Sequence, residues 1–133
     1  VLALISFPVH AQAPIGFPSW YHLPIKVIEL TQFATDTALA YQVNPQHLTA
    51  VIRCESSWKD TAKGDHGLAY GLAQFHEETF DSFKASAIKQ GEPFQKLEYK
   101  NPQDQITLMA WAFKNGLEKH WSCTRIEAAR DWE

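Results

Sequence analysis

Leu30, Phe33, Ala34, Ala38 and Tyr41 recur at three- and four-residue spacing, the repeat of one helix face, and Pro24 suits a first helical turn. The pattern predicts a helix from about residue 24 to 42. A second stripe, Leu48, Val51 and Ile52, follows "NP" at 44–45, where Asn44 reads as an N-cap and Pro45 as the first helical residue. Residues 60–70, "DTAKGDHGLAY", have the Gly and Asp content of a tight loop or small hairpin. "GLAQF" then leads into a helix through about residue 90, stopped by Gly91 and Pro93. A second "NP", at 101–102, opens a helix with Ile106, Met109, Ala110 and Phe113 on its inner face and Gly116 as its stop. A short helix from about 124 to 131 completes the pattern. No β-alternation of useful length and no internal repeat occurs. The fold class is mainly α, a small helical domain with a short loop or hairpin after its second helix.

One position breaks the second stripe. The next residue on the face of Leu48, Val51 and Ile52 is Glu55. A carboxyl there is partly desolvated, which raises its pKa. Raising a Glu pKa by about two units takes roughly 2.7 kcal/mol and yields a proton donor near neutral pH. Protonating a poor leaving group such as a glycosidic oxygen requires such a donor. The competing reading is that Glu55 reaches solvent or pairs with Arg53, Lys59 or Lys63. Periodicity alone leaves both open.

The chain has 133 residues, 45% of them apolar, which suits one compact domain with a core. Its net charge is −3 and it has no basic run, so nucleic acid is excluded as an expected partner. The opening "VLALISFPVHAQAP" reads as the apolar part of a truncated secretory signal, residues 1–11, with cleavage before Gln12. A short buried strand or helix is the alternative. The run is far below the ~20 residues of a membrane span. The expected mature domain is 12–133, exported to a periplasmic or extracellular space. An oxidising compartment favours a bridge between the only cysteines, Cys54 and Cys123; two buried free thiols are the alternative. No metal is expected: the cysteines lack ligand spacing, and His66 and His76 lack a third ligand.

Longer stretches carry a family resemblance. "CESSW" (54–58) followed by "GDHGLAYGLAQF" (64–75) resembles the lysozyme-like superfamily that cleaves bacterial peptidoglycan. Glu55-Ser56, a glycine loop, then Gly71, Leu72 and Gln74 look like the signature of soluble lytic transglycosylase (SLT) domains. The loop around Asp65 is similar to that of goose-type lysozymes. Cys54, Trp58, "GLAQF", "QDQITLMAWAFKNG" and "HWSC" together resemble the resuscitation-promoting factors. There are departures: the loop after Glu55 is one residue longer than the common transglycosylase form, whose serine falls near Gly64. The Tyr-Asn-Ala-Gly segment of larger transglycosylases does not occur, and His76 stands where goose-type enzymes have an Asp.

The resemblance implies a small lysozyme-like domain acting on peptidoglycan glycan strands without a cofactor, and a Cys54–Cys123 disulfide beside the active site. It implies Glu55 as general acid/base and Gln74 as a substrate contact. Tyr70 and Trp58 are candidate cleft walls, with core packing the alternative for Trp58. Phe75 and Trp111 are expected inside, and Trp121 over the disulfide. Ser56 reads as the motif serine that holds the loop. Two chemistries stay open: a lytic transglycosylase needing only Glu55, or an inverting muramidase in which Asp65 positions water roughly 6.5–9.5 Å away. Asp65 also reads as a plain turn residue. A third reading is a non-catalytic peptidoglycan-binding module. A monomer is expected, as no feature signals an oligomer.

Overall fold

The structure is a computed structural model that describes residues 24–130, with side chains to residue 126. The apolar opening and the cleavage point before Gln12 lie outside the described residues. Helix α1, Ile25–Ala40, follows Pro24 and buries Leu30, Ala34 and Ala38. The two alanines are fully buried, and α1 packs against α2 and α4. The expected inner-face residues Phe33 and Tyr41 are only partly buried, at the core's edge. The helix ends before residue 42 because Gln42 turns left-handed, with φ of 60°.

Helix α2, Pro45–Ser56, starts as its "NP" predicts: the Asn44 side chain accepts from the backbone N–H groups of Gln46 and His47. Leu48, Val51 and Ile52 are wholly buried. Ser57 and Trp58 then both take left-handed backbone conformations, which stop the helix directly after Glu55 and Ser56.

The glycine-rich stretch folds as a three-stranded antiparallel sheet, each strand only two residues long: β1 Lys63–Gly64, β2 Ala69–Tyr70 and β3 Phe75–His76. A 3₁₀ turn, Asp65–Gly67, joins the first two. Strands this short show no alternation in the sequence, so only their turn residues announced them. "GLAQF" forms the turn from β2 into β3, with only Phe75 in a strand, and is not part of the helix that follows. Gly71 has φ of +85° and Gln74 of 50°, neither compatible with a right-handed helix, so α3 begins at Glu77 and runs to Lys89.

Helix α4, Pro102–Lys114, is capped by Asn101, whose side chain accepts from the Asp104 N–H. It is buried on more than the one predicted face: Gln105, Leu108, Trp111 and Ala112 are also inside. It packs between α1 and α3, and a helix covered on several sides is apolar around its circumference. After a 3₁₀ turn at Glu118–His120, helix α5, Cys123–Arg130, packs on α2. A disulfide joins Cys54 in α2 to Cys123 at the start of α5, with Cα atoms 6.0 Å apart. Among the described residues no helix is long and apolar enough to cross a membrane.

Candidate active site

Glu55 sits in the last turn of α2, half-buried, and forms no ion pair with Arg53, Lys59 or Lys63. Burial pushes its carboxyl pKa above the ordinary value. The Cys123 backbone N–H opposes that shift, and the charge of Asp65 adds to it. Cys123 is the first residue of α5, so the disulfide at position 54 ties a helix N-terminus beside the carboxyl at position 55.

Glu55 lines an open cavity of about 380 Å³ together with Asp65, Gln74, His76, His120 and Trp121. Strand register builds one wall. Gly64 pairs with Ala69 and Ala69 with His76, so these three form one row, and all three line this cavity. The other row begins with Lys63 and Tyr70, which line a different cavity. Tyr70 is therefore not a wall of the Glu55 cavity.

The hairpin is held by amides. Gln74 donates both side-chain hydrogens to backbone carbonyls, of Ala62 and of Gly71, each at 2.9 Å. Only its Oε1 remains, and that atom lies so close to Gly64 that a Cβ there would collide with it. Gln74 braces the loop first and offers the cavity a single acceptor. The buried Gln105 does the same from α4. Its Oε1 accepts from the Ala73 N–H at 3.0 Å, and its Nε2 donates to the carbonyls of Tyr70 and Tyr99 at 3.0 and 2.8 Å. Gly71 lies against this amide: a Cβ at that position would meet it at 2.6 Å.

Asp65 stands on the hairpin turn with φ of 48°, followed by His66 at 57°. Its carboxylate does not bond its own backbone, as a plain turn residue would; its Oδ2 lies 2.8 Å from His76 Nε2. Both side chains remain largely accessible, at 68% and 41%. Trp58 packs partly buried against the core, away from the lining of the Glu55 cavity, because its left-handed backbone folds it back from the helix end. Ser56 is buried and its hydroxyl donates to the Ile52 carbonyl, so it faces the helix and not the cavity. Phe75 and Trp111 are buried as expected. Trp121 is also inside, its indole N–H donating to the Ala73 carbonyl at 2.7 Å.

His120 is a cavity residue that sequence reasoning missed. Its ring meets Trp121 edge-on at 5.0 Å, and partial burial, with His76 nearby, pushes its pKa down. Its place in "HWSC", just before Trp121 and Cys123, was the available signal. Among the described residues no group of three or more His, Cys, Asp or Glu side chains is arranged to hold a metal ion.

A carboxyl held at a helix end, facing a glycine-rich hairpin across an open cavity in a small helical domain, defines the lysozyme-like class. Residues 32–128 match the transglycosylase SLT domain family, and the chain belongs to that family, whose members act on peptidoglycan. No curated protein and no solved structure matches the chain.

Proposed function

We propose that this domain is an exported lytic transglycosylase that cuts the MurNAc-β-1,4-GlcNAc bond of peptidoglycan, with Glu55 as both acid and base. The observation that carries the reading is the Glu55 carboxyl itself: half-buried, without an ion-pair partner among the described residues, raised in pKa and open to a cavity wide enough for a sugar. Protonated Glu55 gives its proton to the glycosidic oxygen as the C1–O bond breaks. The resulting carboxylate takes the proton of the MurNAc C6 hydroxyl. That oxygen then closes on C1, leaving a 1,6-anhydro ring and a free GlcNAc 4-hydroxyl, with no water consumed. The adjacent N-terminus of α5 steadies the carboxylate between the two steps.

An inverting hydrolase is the second reading, and one observation favours it: Asp65 lines the same cavity as Glu55. Against it, one Asp65 oxygen is engaged by His76, and the side chain is exposed, where a base gains little from burial. A binding module that does no chemistry would gain nothing from a carboxyl it must desolvate. Release of soluble fragments from dye-labelled peptidoglycan tests the proposal. Glu55→Gln is expected to lose at least about a hundredfold in rate, the low end for a positioned acid–base group. Unchanged release by a folded Glu55→Gln protein would sink it.

A further inference from the structure

Asp65 and His76 meet across the hairpin and not along it. Asp65 directly follows β1 and His76 ends β3, while β2 runs between those two strands. Neighbouring strands lie about 4.8 Å apart, which sets the two edge strands roughly 10 Å from each other. The side chains close that gap to the 2.8 Å contact between Asp65 Oδ2 and His76 Nε2. The row leading to His76 leaves room for this, because Gly64 and Ala69 carry nothing larger than a methyl group. Among the described residues neither side chain has another side-chain partner, so one contact sets the orientation of the carboxylate.

The consequence lies in the cavity that the pair shares with Glu55. The cavity is open and both side chains are largely accessible, which puts water beside the Asp65 carboxylate. A second carboxylate with water at hand is what hydrolysis needs, provided that it can aim a free oxygen at the water. A carboxylate tied at one oxygen to a ring on β3 has its plane fixed by that ring. It cannot turn to follow a water on the far side of the sugar.

We propose that His76 is a positioning residue that decides the outcome of the reaction: by holding Asp65 it denies the site a base for water and leaves the MurNAc C6 hydroxyl as the nucleophile. The inference rests on the reading of Glu55 as the acid of a transglycosylase. Released from His76, Asp65 completes the other route. Glu55 protonates the glycosidic oxygen as the C1–O bond breaks, and a water oxygen bonds C1. The surplus proton of that water passes to Asp65 and from there to solvent. The products are then a reducing MurNAc end and a GlcNAc 4-hydroxyl, and solvent returns a proton to Glu55.

The test is the ratio of chain ends released from purified peptidoglycan, with reducing and 1,6-anhydro MurNAc ends separated by mass spectrometry. His76→Ala is expected to raise the ratio of reducing to anhydro ends at least about tenfold, below the roughly hundredfold effect of a well-placed base. His76→Gln keeps a donor that can hold Asp65, and its ratio is expected within about threefold of the unsubstituted protein's. Adding Asp65→Asn to His76→Ala is expected to bring the ratio back down, since an amide does not take the proton. A His76 that only braces the hairpin lowers both products together. An unchanged ratio in His76→Ala, with anhydro ends still formed, therefore overturns the inference and spares the transglycosylase reading. A raised ratio that persists after Asp65→Asn is added also overturns it. If the unsubstituted protein itself yields only reducing ends, or no ends, the transglycosylase reading falls and takes the inference with it.

Discussion

At the scale of single residues, the chemistry rests on a carboxyl that the fold makes uncomfortable when charged. Glu55 holds its proton to higher pH in the folded state than in the unfolded chain. Its contribution to stability is therefore fully present below the unfolded pKa of about 4.3 and is lost as pH rises through the folded value. Glu55→Gln removes that loss. The variant is expected to melt higher than the unsubstituted protein at pH 7, with no gain near pH 4. Calorimetry at the two pH values checks both halves. Asp65 raises the Glu55 pKa by its charge, so Asp65→Asn lowers it. The alkaline limb of the cleavage rate, where the acid loses its proton, is then expected to move to lower pH. Under the transglycosylase reading the rate at the optimum stays within about tenfold; a loss as large as that of Glu55→Gln would instead favour Asp65 as a base.

At the scale of elements, what was legible in the sequence depended on whether a signal was local. Helices α2 and α4 announce themselves through "NP" caps and apolar stripes, and both start where those caps fall. Glu55 was legible as a break in one such stripe. The three strands were not, because two-residue strands have no period to detect, and only Gly64, Gly67 and Gly71 marked the segment as a turn. Gln105 was invisible for a different reason. Two of its three hydrogen bonds reach residues distant in sequence, Tyr70 and Ala73, and a glutamine on an apolar helix gives no hint of such partners. Replacing it by Ala leaves those groups unpaired next to a void. A loss of about 3 kcal/mol is expected, read from urea unfolding, with disorder in the hairpin shown by faster exchange of the Ala73 amide. Tyr70 and Trp58 were drawn toward the cleft by their closeness to the motif. Strand register and a left-handed helix end send them elsewhere, and neither can be read from spacing.

At the scale of the whole molecule, one covalent bond joins the parts that make the site. The Cys54–Cys123 bridge closes a loop of 69 residues' separation that contains the hairpin, α3 and α4. In the chain-entropy model this is worth about 4 kcal/mol. The Cys54→Ser, Cys123→Ser double variant is expected to lose a stability of that order in urea titration. It should also lose activity in proportion as α5 leaves Glu55. Full activity at full stability would show that the bridge is incidental to the site. The central claim, that one carboxyl acts first as acid and then as base, is tested most directly by the chemical identity of the new chain ends. Purified peptidoglycan digested by the unsubstituted protein, with Glu55→Gln as control, is resolved by mass spectrometry of the released fragments. The account predicts 1,6-anhydro-MurNAc ends, one water lighter than the hydrolysis product and missing from the Glu55→Gln digest. Reducing MurNAc ends in their place would contradict it and mark the domain as a hydrolase.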